Sequence, residues 1–391
     1  MKHFVPSSTP AEGLGVMLLF ELIDEAVPAF FRPDRTIRIA RAPGRLDVFG
    51  GAAFAGGLGL QLPTAEAACA AVQLRDDTLV RLWSPCRDGS RTQLLSMQLG
   101  DLGLPDAPIP YDEARALFAA DPRDHWAAHL LGCFVVLARE HAVRFERGAE
   151  VLLHSDVPER VGVGASAAVQ VAAMRALADA YGLTLTGRDV ALGSEIVDGA
   201  IAGIADGVSG PVTATFAEAE ELLAVRLQPC EVEGSVAVPT DLEFVGLDSG
   251  VRRSDDGGDS GVPDDGDRAA RFLWLLRQEL TPDRRAELGD LLFAAHADYA
   301  AQGRGEPVAD FLVERVRQRR AAGAPVYGAK MMGRGGGGAV VLLGDRGKVW
   351  YEALRIKKAL HEHTGHSAHV FRWSSPGALS FGGIELRPKD A

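Results

Sequence analysis

The stretch Val161-Gly162-Val163-Gly164-Ala165-Ser166-Ala167-Ala168 opens an alanine-rich run that continues to Tyr181 and stops at Gly182. Glycines at 162 and 164 let successive backbone N–H groups turn toward one point, and the N-terminus of a helix predicted over residues 166–181 adds the positive end of its dipole. Composition leaves two readings open. One is a nest for a phosphate-like anion, with Ser166 ligating magnesium; the other is a plain glycine loop before a helix that Ser166 caps. The segment is not a P-loop, since no Lys-Ser/Thr ends it, and it is not a dinucleotide fingerprint.

Upstream, residues 36–42 read as a strand ending at Pro43-Gly44, with Arg45 and Asp47 just beyond it and a glycine-rich loop over 50–57. Strands follow at 65–74 and 79–84, then two helices between 112 and 140 broken at Asp121-Pro122, and a strand at 150–155. Downstream, a helix over 188–201 gives way to a glycine-punctuated stretch, 203–211. Strands at 222–228 and 242–247 precede an Asp/Gly-dominated surface loop at 255–267. The last third reads as helices at 268–279, 283–303 and 307–321, the run Gly328-Ala-Lys-Met-Met-Gly333-Arg-Gly335-Gly336-Gly-Gly338, and a strand at 339–343. A helix at 346–362 and strands near 367–373 and 379–386 complete it. Helices and strands interleaved in both halves predict an α+β architecture, not a doubly wound sheet.

The chain has 391 residues, enough for two domains with hydrophobic cores, and 47% hydrophobic with 24% charged residues is ordinary globular composition. No run approaches the roughly 20 apolar residues of a membrane helix. The apolar piece Val16 to Phe20 is followed at once by Glu21, Asp24 and Glu25, which makes an amphipathic helix and not a signal peptide. A net charge of -12 speaks against nucleic acid as a partner. Phosphate ligands remain open, because backbone N–H groups and magnesium can hold them. Four scattered cysteines without metal spacing suit a reduced cytoplasmic setting. His361, His363, His366 and His369 lack the i, i+4 spacing of a helical zinc pair and read as helix-end residues.

Taken in order, Ala42-Pro-Gly-Arg45, the Gly-Val-Gly-Ala-Ser-Ala-Ala segment and the Gly-Ala-Lys…glycine run resemble the three motifs of the GHMP kinases. Longer matches, among them Arg41-Ala-Pro-Gly-Arg-Leu-Asp-Val-Phe-Gly-Gly, Tyr111-Asp-Glu-Ala-Arg, Gly246-Leu-Asp-Ser-Gly-Val-Arg and Ser374-Ser-Pro-Gly-Ala, are similar to the L-arabinokinase and galactokinase group. The resemblance spans residues 36 to 387. It implies a two-domain α+β fold, divided here at 1–220 and 221–391, with the active site in the cleft between domains. It further implies an ATP- and magnesium-dependent transfer to a hydroxyl of a small sugar-like acceptor. Arg45 would stabilise charge on the transferred group. Gly162, Gly164, Ala165, Ser166 and Ala167, with Gly335 and Gly336, would enclose the phosphates. Ser166 and Asp198 would hold magnesium, and Asp47, Phe54 and Asp248 would face the acceptor.

The sequence departs from the family in three places. Asp198 stands where a glutamate is usual, one methylene shorter, so the ion would have to shift or bind through water. The acceptor segment Ala52-Ala-Phe54-Ala-Gly-Gly57 has no carboxylate, which removes charge-assisted hydrogen bonds of about 1.5–3 kcal/mol each from a polyol. An ungapped alignment puts Gly210 at the family's catalytic aspartate, whereas a shift of four residues puts Asp206 there. Asp206 is the best remaining candidate for a base. These departures keep two other expectations open: a degenerate relative that binds nucleotide as a sensor or partner subunit, and a relative turned to another reaction.

Overall fold

A thirteen-residue strand, Ile37–Phe49, is the spine on which the site is built. The structure is a computed structural model that describes residues 1–7, 14–50, 57–86, 89–204, 207–226, 230–252, 266–335 and 337–389. Phe54, Asp206 and Gly336 lie outside the described residues.

In chain order, β1 (Phe4–Pro6), α1 (Leu14–Ala26), β2 (Ile37–Phe49), β3 (Leu58–Leu74), β4 (Leu79–Trp83) and β5 (Leu94–Gln98) lead to α2 (Tyr111–Ala119) and α3 (Ala128–His141). Then come β6 (Ala149–Ser155), α4 (Ala165–Tyr181), α5 (Gly187–Ile196), a π-helical turn (Val197–Ala202), α6 (Ser209–Phe216), β7 (Glu221–Arg226), β8 (Glu231–Ala237) and β9 (Leu242–Asp248). The last third holds α7 (Gly266–Leu276), α8 (Pro282–Ala301), α9 (Pro307–Ala321), β10 (Val326–Met331) and β11 (Ala339–Asp345). It closes with α10 (Lys348–Thr364), β12 (Val370–Phe371), α11 (Ala378–Phe381) and β13 (Gly383–Pro388).

The strands form two sheets. The larger runs β1-β13-β2-β3-β6-β4-β5, with β7 paired to the start of β3 and β8 beyond β7; the smaller runs β10-β11-β9-β12. Every pairing is antiparallel except that of β4 with β6. Strands on both sides of residue 220 therefore share the larger sheet, because β7, β8 and β13 return to it.

The amphipathic reading of the N-terminal helix follows from where α1 packs: Val16, Leu19, Phe20 and Ile23 bury against Ile37, Ile39, Cys69 and Ala71 of β2 and β3. The alanine-rich α4 covers β2 and β3, burying Val171, Met174 and Leu177 among residues of α3. Each such side chain contributes about 1.5–3 kcal/mol. Small alanines let α4 sit close to the sheet, and Gly182 ends it with φ +66, a left-handed cap. A second core joins α8, α9 and α10 to the smaller sheet through Leu312, Val316, Val340, Leu342 and Ile356.

Four differences from the sequence reading have physical causes. The first strand continues past Pro43-Gly44 to Phe49, because register shifts at Pro43/Arg45 and Asp47/Phe49 take up the irregular residues. The glycine-punctuated stretch contains α6; Pro211 is its third residue, where no intrahelical N–H is needed. β10 was not anticipated. Its Gly328 lies so close to Gly289 of α8 that a side chain on either would meet backbone, so glycine here marks contact between a strand and a helix and not a turn. The C-terminal strand begins only at Gly383, after the short α11.

Candidate active site

At the start of α4, the first intrahelical bond runs from Ala168 N–H to Gly164 O, leaving the amides of Ala165, Ser166 and Ala167 without intrahelical acceptors. Gly162 and Gly164 have φ of +81 and +77, as the nest reading requires. Gly164 is the N-cap and provides no side-chain cap; Ser166 does not cap the helix either. Its hydroxyl donates instead to Asp198 Oδ2 at 2.9 Å.

Asp198 sits in the π-helical turn and is 3% exposed. A π-turn adds a residue to the helical repeat and re-aims the side chains around it. The shorter carboxylate thereby reaches Ser166 directly. Its other oxygen accepts a hydrogen bond of 2.6 Å from Gln170 Nε2, and the same amide nitrogen lies 2.9 Å from His129 Nδ1. Burial, with a smaller contribution from His125, lowers the His129 pKa to about 4. His129 is thus neutral near pH 7, with Nδ1 as an acceptor. Gln170 and Ser166 are four residues apart on one face of α4, and both turn toward Asp198.

Ser166 and Asp198 offer a hydroxyl and a carboxylate, hard oxygen donors of the kind magnesium takes, so the donor set fits that ion.

Arg45 approaches the same helix end from β2. Its backbone N–H donates to Val163 O at 2.8 Å, and its Nε to Gln61 Oε1 at 3.0 Å. A Cβ placed on Gly164 would lie 2.8 Å from Arg45 Nη1, and one on Gly210 only 2.6 Å from it. The guanidinium is wedged between the first residues of α4 and α6. Gly210, which only the ungapped of the two alignments sets at the family aspartate, directly faces Arg45.

Asp47 is fully buried. One oxygen accepts from Gln61 Nε2 at 2.7 Å and the other from Gly333 N–H at 2.9 Å, so both are engaged by protein donors. It joins the first motif to the third. Lys330, also fully buried, donates to Asp47 O at 3.4 Å and lies beside the rings of Phe49 and Tyr299. The glycine run is tied down at both ends. Tyr299 OH donates to Gly333 O at 2.6 Å, Ser249 N–H to Gly338 O, and Ala339 N–H to Val161 O at the mouth of the α4 loop. Gly335 has φ +82 and packs on Tyr299 and Arg304. Asp248 pairs with Arg252 Nη1 at 2.9 Å and accepts from Gly250 N–H. Of the clustered histidines, His363 stacks on Phe311 and His369 pairs with Glu66, while His361 Nδ1 lies 3.2 Å from His366 O.

The structure thus brings Arg45, Gly164, Ser166, Ala167, Asp198 and Gly210 to one place, with Asp47 and Gly333 behind Arg45. Sequence reading missed Gln61, Gln170, His129 and Lys330. Gln170 alone left a signal, as a polar residue one turn after Ser166 in an apolar helix.

Residues 128–216 match the GHMP kinases N terminal domain. The chain is 29% identical to L-arabinokinase of Arabidopsis thaliana over an alignment 498 positions long, covering 93% of this chain and 48% of that protein. It is 28% identical over 239 residues to a galactokinase of Chloroflexus aggregans, covering 60% of this chain and 55% of the relative. The chain spans about half the length of these relatives. The crystal structure of Lactococcus lactis galactokinase complexed with galactose superposes with a TM-score of 0.72 at 17% identity, covering 92% of this chain and 99% of that one, and shares its fold. Among the described residues, no helix is long and apolar enough to cross a membrane.

Proposed function

We propose that the chain is an ATP- and magnesium-dependent kinase that phosphorylates a hydroxyl of a small, sugar-like acceptor. The observation that carries this reading is the Ser166–Asp198 oxygen pair at the open N-terminus of α4, with Arg45 beside it. Free amides at 165–167 and the helix dipole bind phosphate oxygens. When bound, magnesium neutralises charge on the phosphates. Gln170 holds the Asp198 carboxylate in place, and Arg45, oriented by Gln61, stabilises charge on the transferred phosphoryl group. Asp47 acts through Gln61 and Gly333 as a positioning residue, and Asp248 borders the acceptor side.

In the reaction the acceptor oxygen bonds to the γ-phosphorus as the bond to the ADP oxygen breaks. ADP leaves with that electron pair, and Asp206 is the proposed acceptor of the hydroxyl proton. Phosphoryl transfer depends chiefly on positioning and electrostatics, so Gly210 does not by itself abolish it.

The deciding experiment measures ADP release and product mass with magnesium-ATP across aldoses, uronic acids, amino sugars and amino alcohols, L-arabinose and galactose included. A phosphorylated product supports the kinase. Tight nucleotide binding without turnover of any acceptor overturns it in favour of a nucleotide-binding relative.

A further inference from the structure

The segment Tyr111-Asp-Glu-Ala-Arg115 opens α2, outside the site built around Asp198. Tyr111 and Arg115 are four residues apart and so share one face of that helix. Tyr111 OH donates to Glu140 near the end of α3, and the Arg139 guanidinium lies over the Tyr111 ring at 5.0 Å. Arg115 reaches the π-helical turn. Its Nε donates to Ala200 O at 3.0 Å and its Nη2 to Gly199 O, the carbonyls of the two residues that follow Asp198. One end of α2 is thus tied to α3, and the same face ties it to the turn that carries the carboxylate.

α5 runs directly into the π-helical turn, so residues 187–202 form one helical segment, ended by Gly203 at φ +75. At this end Asp198 O accepts from the N–H groups of Gly203 and Ile204, the latter at 2.8 Å. The next two carbonyls, at 199 and 200, are the ones that Arg115 holds. A guanidinium suits a helix C-terminus twice over: its fork spans adjacent carbonyls, and its charge meets the negative end of the dipole. What the fork secures is the extra residue of the π-turn, which aims Asp198 at Ser166 and Gln170. Relaxation to an α repeat would rotate Asp198 by about 100° relative to the carbonyls after it. Gln170 holds the carboxylate itself, whereas Arg115 holds the backbone beneath it.

We infer that Arg115 is a positioning residue for the reaction: from α2 it fixes the π-turn, and with it the Asp198 carboxylate proposed to hold magnesium. This rests on the kinase reading above and adds to it a residue that acts through backbone carbonyls. Arg115 is exposed, so replacing it opens no cavity.

The test compares calorimetric binding of ADP to the full chain in magnesium and in EDTA, and reads the factor by which magnesium tightens it. Arg115→Ala should shrink that factor about tenfold, the lower range for a group behind a metal ligand, and leave magnesium-free affinity unchanged. Arg115→Lys, which keeps the charge but not the fork, should shrink it less. Asp198→Asn should remove most of the factor, and adding Arg115→Ala to it should cost little more, because both act through one carboxylate. An unchanged factor in Arg115→Ala overturns the inference. So does an equal loss of affinity with and without magnesium, the mark of general loosening, and so does a full additional loss in the double variant. If the unsubstituted protein shows no magnesium effect, or Asp198→Asn keeps it, the magnesium layout falls and the inference falls with it. If Asp198→Asn loses the effect and Arg115→Ala does not, the inference alone falls.

Discussion

Gln61 does with one amide what the site requires of two groups. Its oxygen accepts from Arg45 Nε while its nitrogen donates to Asp47 Oδ1 and to Phe49 O at 3.2 Å. Gln61→Leu keeps the volume but leaves buried donors and acceptors unpaired, and should destabilise the fold by about 1–3 kcal/mol for each group left unsatisfied. Urea unfolding checks this. Ser166→Ala removes one of the two proposed magnesium ligands without opening a cavity. Roughly tenfold weaker magnesium-ATP binding is expected by calorimetry, and unchanged affinity would dismantle the layout. Asp206→Asn should lower kcat by about 10²–10⁴, the range of general acid–base catalysis, with magnesium-ATP affinity kept. That Ser166 stands at the start of α4 was legible because Gly162 and Gly164 precede an alanine-rich helical run, whereas Arg45 was singled out only through the resemblance of its motif. Gln61, Gln170 and His129 were not legible. Their partners lie 12 to 41 residues away, and one amide or imidazole leaves no period to detect.

At the level of elements, helices with strong apolar faces and glycine ends, α4 above all, could be read directly from the chain. The π-helical turn could not, since a single extra residue in a helical repeat barely alters the apolar pattern. The exposed β8 could not either, because Glu231, Glu233, Gly234 and Ser235 give it a loop-like composition. Among the C-terminal helices, one buried carboxylate fastens α9 to α10. Glu352 accepts from Arg319 Nε at 2.6 Å and from Arg355 Nη1 at 2.5 Å, and the hydrogen bond from Arg319 chiefly holds its pKa below the usual carboxylate range. A carboxylate with a lowered folded-state pKa stabilises above its unfolded value, about 4.3, and that stability is lost as pH falls through the folded value. Glu352→Gln should therefore cost about 1–3 kcal/mol at pH 7 and much less near pH 3. Paired urea titrations at the two pH values decide it.

For the whole molecule, α+β class followed from interleaved patterns, but the return of β7, β8 and β13 to the first sheet did not. Strand partnership across more than 150 residues is set by which edges remain open after local pairing, and no local pattern records that. The same long reach assembles the site: Asp47 and Gly333 meet across 286 residues, and Ala339 meets Val161. Asp47→Ala should thus lower overall stability and magnesium-ATP affinity together, because it frees Gly333 and Gln61 at once. Differential scanning calorimetry with and without nucleotide tests whether the two losses move together.

The pairing of β1 with β13, Phe4 opposite Pro388 and Pro6 opposite Leu386, has a mechanical side. Tension applied between residues 3 and 389 would load this short ribbon as a zipper, bond by bond, and then reach β13 where it lines β2 from Ile37 to Ala40. Arg45 stands five residues further along β2, about 17 Å by strand rise, in a stretch held by β3. Peeling at this seam therefore runs out before it reaches Arg45. Reporters attached near the two ends would sense each other's separation long before they sensed the site.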